Sequence, residues 1–229
     1  MSSPKLDRKK KIDLKKRKIR AFFLSIETKK KENIEIDKEA EDLYQDGMVY
    51  IQMKLPVDKI TKEFENNLTD KLEHNIVKAK IRKATLEDLD SLKDIYNHAW
   101  LTSNTPFRPI TKTDLKKILE YPETVFLIAK VYGVDAAFLL LDFEGENKEF
   151  AIIAALAVTP RFQRRGVGTI LGMASWQYLK EYYPNVKEIR CEVYKDNKVS
   201  HSFIKEIGFE EYDTKIYKKE DFEIQNKEQ

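Results

Sequence analysis

The sequence predicts a mixed α/β domain, an α+β sheet built around one strand–turn–helix crossover, preceded by a mostly helical extension. Three observations predict it. From Ile76 onward, strand-like alternation and helix-like periodicity succeed one another at short intervals. An apolar run, Phe150 to Val158, is closed by Thr159-Pro160 and leads into a basic turn, Gln163-Arg164-Arg165-Gly166-Val167-Gly168. A stripe at Val167, Ile170, Leu171, Ala174 and Tyr178 then marks a helix. The predicted order, β-α-α-β-β-β-α-β-α-β-β, is neither a purely parallel sheet nor a barrel.

Residues 1–75 are polar, show no clean strand alternation, and read as a basic helical extension. Between Lys5 and Arg20 there are ten Lys or Arg against two Asp. Ile12, Ile19, Phe23 and Ile26 share one helical face, which makes a basic amphipathic helix. Two readings of it stay open: a solvated terminal helix or tail, or an arm that contacts RNA, a ribosome or an anionic membrane. Phe22 and Phe23 stand at its end rather than interleaved with the basic residues, which weakens base stacking. Val57, Ile60, Phe64, Leu68 and Leu72 repeat at helical spacing. That helix needs the following domain or a partner subunit to cover it, so a homodimer stays open.

Residues 76–221 form the predicted domain, and residues 222–229 a polar tail. Val77, Ala79 and Ile81 alternate as a strand. Thr85 caps a helix with Asp88 three residues on, a capping-box pattern, and Leu86, Leu89, Leu92 and Ile95 give its buried face. A loop from Ser103 to Pro109 leads to a short helix, Asp114 to Leu119, stopped before Pro122. Val125–Tyr132 and Val134–Phe143 flank Gly133 as a hairpin. After the Phe150–Val158 strand, the crossover helix runs to Tyr183-Pro184. Ile189, Cys191 and Val193 alternate as a strand, and a helix from Val199 to Ile207 ends at Gly208. Two short strands, Phe209–Tyr212 and Lys215–Lys218, close the domain.

Composition bounds the rest. A chain of 229 residues with 41% hydrophobic content can bury one ordinary core. Charged residues make up 35%, yet the net charge is +3, so most charge is mixed-sign surface. The single cysteine, Cys191, excludes an internal disulfide framework, fits a reducing cytoplasm and reads as a core residue. No apolar run approaches the roughly 20 residues of a membrane span. The run Ala21–Leu24 is too short for the core of a secretory signal. A soluble, cytoplasmic protein is the expectation.

The turn from Gln163 to Gly168 has the chemistry of an anion site. Glycines let backbone N–H groups converge, the helix dipole favours negative charge, and arginines add charge-assisted bonds. It has no Gly-Lys-Ser/Thr, so it is not a P-loop. The position three after Gly168 is Leu171, which excludes a dinucleotide fingerprint. What remains is an open turn suited to a diphosphate.

At this point the sequence resembles the GNAT superfamily of acyl-CoA N-acyltransferases. The order of elements is similar. So is the signature Gln/Arg-x-x-Gly-x-Gly/Ala, present as Gln163 to Gly168 behind Leu156-Ala157-Val158-Thr159-Pro160. An Asn after the fifth strand and a helix ending in Gly-Phe also match, as Asn197 and Gly208-Phe209. The resemblance covers about Ile76 to Lys219. It implies a central mixed sheet with splayed fourth and fifth strands, Phe150–Val158 and Ile189–Val193, and acetyl-CoA as cosubstrate with no metal. Backbone groups of Leu156, Ala157 and Val158 would pair with the pantetheine arm. Those of Gln163, Arg164, Arg165, Gly166, Val167, Gly168 and Thr169 would hold the pyrophosphate, with Arg161 near the adenosine. Asn197 would touch the pantetheine, and the Val158 N–H, near a bulge, would stabilise the oxyanion.

Two residues that such enzymes often use are missing. The position of a thiolate-protonating Tyr, four before the helix-ending glycine, is Ile204. The stretch Ile152–Ala157 holds no ionisable base. His201 shares a stripe with Asn197 and Ile204 and can face the cofactor groove, while Ser200, Phe203 and Ile207 form a core stripe. Glu192 and Tyr194 share one sheet face and can act through water. His98 and Trp100 lie near the loop bordering the acceptor, and His74 reads as surface. The missing acid and base favour an amine of low pKa, such as a protein N-terminus or a small molecule, over lysine. An α-amine has a reference pKa of about 7.7–8.0, against about 10.4 for lysine. The expected activity is transfer of acetyl to a primary amine. The alternative is a weak or inactive acyl-CoA sensor that docks through its basic extension.

Overall fold

The computed structural model describes residues 47–73, 77–103, 105 and 109–217. Strands are β1 (Met48–Pro56), β2 (Ala79–Lys83), β3 (Val125–Val131), β4 (Val134–Glu144), β5 (Phe150–Val158), β6 (Glu188–Tyr194) and β7 (Glu210–Tyr217). Helices are α1 (Lys62–Glu73), α2 (Leu89–Leu101), α3 (Lys112–Leu119), α4 (Val167–Tyr182) and α5 (Lys198–Glu206). The strands form one seven-stranded sheet in the order β2-β3-β4-β5-β6-β1-β7. Every neighbouring pair is antiparallel except β5 and β6. The mixed sheet predicted from the sequence is therefore present.

Its membership differs from the expectation in one important place. Residues 48–56 are a strand, seated between β6 and β7, not part of a helical extension. Position 75/76 thus does not separate two folded units, since the sheet draws strands from both sides of it. The segment MVYIQMKLP is apolar on both faces apart from Gln52 and Lys54. Such a run carries little period-2 signal, because both faces of an interior strand are covered. The chain end supplies one continuous strand, β7, where two short ones are expected, and β1 takes the remaining place. The basic run Lys5–Arg20, His74 and the tail 222–229 lie outside the described residues.

Local signals hold in part. The Thr85–Asp88 capping box forms with both of its bonds. Leu86 is 49% exposed, however, because it sits in a 3₁₀ turn ahead of the helix. The buried face of α2 is Leu92, Ile95, Tyr96 and Ala99. Gly133 turns the β3–β4 hairpin at φ +81°. The buried line of α4 is Val167, Leu171, Ser175 and Leu179, rotated from the expected stripe so that Ile170, Ala174 and Tyr178 flank it.

Alternation of the strands divides the core into two layers. Phe126, Ile128, Phe138 and Leu140 pack with α2 and α3. Leu127, Ala129, Leu139 and Leu141 pack with α4, joined by Met53 and Leu55 of β1 and Phe209. Helix α1 lies against α4, latched by Glu65, which accepts from Trp176 Nε1 at 2.5 Å and from Lys180 Nζ at 2.6 Å. These bonds hold the Glu65 carboxyl below its ordinary value.

Candidate active site

The site begins where two strands stop pairing. β5 and β6 are in register only from Phe150–Ile153 against Glu188–Cys191, although β5 continues to Val158 and β6 to Tyr194. On its other edge, β5 shifts register against β4 at Ala154, between the Leu141–Ile153 and Leu140–Ala155 pairs. A bulge adds a residue and bends its strand, which turns β5 away from β6. The expected splay is present, and a cleft opens in it.

Backbone groups line the β5 edge of this cleft. Thr159 N–H donates to Ala136 O at 2.9 Å, on the β4 side. Alternation then turns the backbone groups of Val158 and Leu156 toward the cleft, while those of Ala157 face β4. Val158 O accepts from Gln163 Nε2 at 2.9 Å. The bulge lies at Ala154, so the cleft-facing N–H nearest the apex of the splay belongs to Leu156, not to Val158.

Past Val158 the chain makes the turn singled out in the sequence. Phe162, 4% exposed, anchors a 3₁₀ turn, and Arg164 (φ 56°) and Gly166 (φ 76°) both adopt left-handed conformations. These residues bend the backbone into the start of α4. The first intrahelical bond is Ile170 N to Gly166 O, so Val167, Gly168 and Thr169 carry the N–H groups of the open first turn. Gln163 N–H is engaged by Pro160 O at 3.3 Å, so Gln163 braces the turn rather than contributing a backbone donor. Arg161, Arg164 and Arg165 are exposed beside it. A Cβ on Gly168 would stand 3.1 Å from Phe203 Cζ, and the glycine thereby admits α5 against the start of α4.

Asn197 caps α5, accepting from Ser200 N–H at 3.0 Å and donating through Nδ2 to Thr105 Oγ1 at 2.8 Å. The cleft is lined by Asn197, Ser200, Phe203 and Ile204 of this segment, by Ile152–Leu156, by Cys191–Tyr194, and by Tyr50, Trp100 and Thr105. His201 is not among them. Its Nε2 lies 2.9 Å from Glu211 Oε1 on β7, which corrects the sequence-based placement. Asn197 is a non-helical cap at φ −80°, ψ 71°, so the helical phase cannot be carried back through it. The cleft-facing line instead runs through Ser200, Phe203 and Ile204, although the sequence places the first two in the core.

Glu192 and Tyr194 do reach the cleft. Tyr217 O–H bonds to Glu192, with its oxygen 2.8 and 3.0 Å from the two carboxylate oxygens. Burial pushes the Tyr194 phenol pKa above its ordinary value, and the neighbouring Asp196 adds to the shift. The Tyr50 ring lies 5.6 Å from that of Tyr194 and 5.7 Å from that of Tyr217. Sequence reasoning misses Tyr50 and Tyr217, which join the site only through long-range strand pairing. Trp100 lines the cleft, whereas His98 is exposed with Nδ1 2.7 Å from Asp94 O. Cys191 is buried, and burial pushes its thiol pKa up, which disfavours a thiolate nucleophile. Among the described residues no His/Cys/Asp/Glu group could hold a metal, and no helix is long and apolar enough to cross a membrane.

A second cavity of about 340 Å³ adjoins the cleft through Ile152, Cys191 and Glu192. Among the described residues only strands wall it, with Gln52, Glu144, Arg190, Tyr212, Asp213 and Lys215 contributing the remaining side chains.

Comparison with known proteins agrees with this geometry. An uncharacterized N-acetyltransferase of Methanocaldococcus jannaschii is 28% identical over 146 residues, 60% of this chain and 64% of that protein. The match thus spans less than two thirds of that relative's length. An N-alpha-acetyltransferase of Sulfurisphaera tokodaii is 29% identical over 141 residues, 58% of this chain and 80% of that protein. The crystal structure of PaiA N-acetyltransferase from Thermoplasma acidophilum in complex with coenzyme A shares the fold. Its TM-score is 0.52 at 21% identity, over 61% of this chain and 99% of that one. The acetyltransferase (GNAT) family model matches residues 89–209, more than half of the chain. A splayed strand pair, a left-handed turn at a helix N-terminus and this match together make the chain a member of the GNAT acetyltransferase family.

Proposed function

We propose that the protein transfers an acetyl group from acetyl-CoA to a primary amine by direct attack in a ternary complex. The observation that carries this reading is the continuity of one strand edge with one anion-binding turn. Leu156 and Val158 offer main-chain groups to an extended pantetheine, and the same strand leads into the open N-terminus of α4 for the pyrophosphate. Gly166, Val167, Gly168 and Thr169 supply that turn, and Arg164 and Arg165 add charge. Asn197 holds the start of α5 beside the pantetheine path.

In the reaction the amine lone pair attacks the thioester carbonyl carbon, the C–S bond breaks, and the amide product loses one proton. The Leu156 N–H faces the developing oxyanion at the apex of the splay. Glu192, held by Tyr217, takes the proton from the incoming ammonium directly or through water. Tyr194, on the β6 wall of the cleft, retains its proton through neutral pH and serves as the acid for the departing thiolate. His201, turned toward Glu211, has no part in it.

The acceptor favoured is an amine of low pKa. Ile204 gives no proton and β5 carries no base, so an α-amine, about 2.4–2.7 pKa units below lysine, needs less assistance. The name of the relative from Sulfurisphaera tokodaii, an N-alpha-acetyltransferase, supports this choice. Release of free thiol from acetyl-CoA with peptides, lysine side chains and small amines tests the proposal. Turnover is expected, fastest with free α-amines. If acetyl-CoA binds but no amine raises thiol release above background, the protein is an acyl-CoA sensor instead.

A further inference from the structure

Gln52, on the strand that enters the sheet from the N-terminal side, is 7% exposed, and its Nε2 has no hydrogen-bond partner among the described residues. A buried amide left without a partner destabilises a folded protein, so a ligand atom that accepts from it would be well received at this place. Gln52 lines the cavity beside the cleft, and its neighbours there are specific. Across the β1–β6 ladder it pairs with Glu192, and across the β1–β7 ladder with Asp213. Cross-strand partners share a sheet face with Cβ atoms about 5 Å apart. One row across the sheet therefore presents a carboxylate, an unpaired amide and a second carboxylate. The first of these stands in the acetyl-transfer cleft.

We propose that Gln52 is a specificity residue that donates a hydrogen bond to a backbone carbonyl of the acceptor, making the acceptor the N-terminus of a polypeptide. This inference rests on the acetyltransferase reading above and narrows its substrate. Glu192 faces the ammonium, and an amide donor one strand away faces the carbonyl oxygen that accompanies an α-amine. A polyamine or an alkyl amine has no such oxygen, and binding it would leave the Gln52 N–H groups buried and unpaired. Sites built to bond a polar group discriminate strongly against analogues that lack it. The cavity continues from this row along β7 to Lys215 and lies within the size range of ligand sites, leaving room for the peptide beyond its first residue.

The test uses the full chain with acetyl-CoA and three acceptors. They are a short peptide with a free α-amine, the same peptide with its first carbonyl reduced to a methylene, and an alkyl diamine. For the unaltered protein, kcat/KM is expected to be at least tenfold higher for the intact peptide than for the reduced one. Gln52→Leu, which keeps comparable side-chain bulk and removes the donor, should collapse that preference about tenfold, mainly through KM of the peptide. Gln52→Glu retains a polar side chain without the donor and should lose the preference likewise. Equal kcat/KM for the intact and reduced peptides in the unaltered protein would overturn the inference while leaving the acetyltransferase reading in place. Absence of turnover with every acceptor would overturn both. Reducing the carbonyl also raises the pKa of the α-amine, so the variants decide the role of Gln52: an undiminished preference in either folded variant, Gln52→Leu or Gln52→Glu, would overturn the inference.

Discussion

Gly166 adopts a left-handed conformation at φ 76° as the N-cap of α4. An aspartate there would be strained by about 1–2 kcal/mol and would place a carboxylate at the turn assigned to the pyrophosphate. Gly166→Asp is expected to weaken acetyl-CoA binding more than tenfold by titration calorimetry. Unchanged affinity would remove the cofactor assignment. Glu192, which lines the cleft beside Tyr217, is the base proposed for the acceptor side. Glu192→Gln keeps the shape and loses the base, so kcat should fall about 10²- to 10⁴-fold while acetyl-CoA affinity is retained. A change confined to acetyl-CoA affinity would instead make Glu192 part of the cofactor groove. The two residues also differ in how far the sequence reveals them. Gly166 is legible because its spacing from Gln163 and Gly168 is local and the turn explains it. Glu192 stands out only as one member of an alternating pair, because its partner Tyr217 lies on another strand, 25 residues along the chain.

At the scale of elements, short-range rules predict well and the sheet edges do not. The Thr85–Asp88 box is an (i, i+3) interaction and forms as its pattern requires. Arg82 reinforces it with two 2.7 Å bonds to the Asp88 carboxylate, Nη1 to Oδ2 and Nη2 to Oδ1. This pairing, together with the Thr85 bonds, holds the Asp88 pKa down from 3.8 to about 2. A carboxyl whose folded-state value is depressed stabilises the fold above its unfolded value and ceases to do so as pH falls through the folded one. Asp88→Asn is therefore expected to lower stability by about 1 kcal/mol near neutral pH, in the range of a lost cap. That difference should shrink between pH 4 and pH 2, as measured by denaturant unfolding across that range. A penalty constant with pH would show that the charge of Asp88 contributes nothing. By contrast, the splay that makes the cleft depends on the Ala154 bulge and on pairs that β5 and β6 do not make. Neither is a property of the local sequence, and only the family resemblance suggests it.

For the molecule as a whole, β1 joins two things that the sequence presents as separate. It places Met53 and Leu55 in the main core and Tyr50 and Gln52 at the site, from a segment that reads as an extension. The crossover region is readable because strand, turn and helix follow one another directly. The position of β1 is not, because its partners β6 and β7 lie more than a hundred residues away and only three-dimensional pairing selects them. Among the described strands β7 has β1 as its only neighbour, and without β1 the strand β6 would retain only the short ladder with β5. Removing residues 1–75 would therefore strand β7, leave a row of unpaired backbone groups on β6, and expose core residues such as Ile189 and Phe209. The truncated chain is expected to show no cooperative thermal transition by circular dichroism and to bind acetyl-CoA poorly, although it keeps the Gln163–Gly168 turn intact. A synthetic peptide spanning residues 47–60 should restore part of the transition by pairing in the vacant place. Cooperative melting of the truncated chain at the temperature of the full chain, without that peptide, would mean that residues 76–221 fold as a self-sufficient domain and that β1 is dispensable.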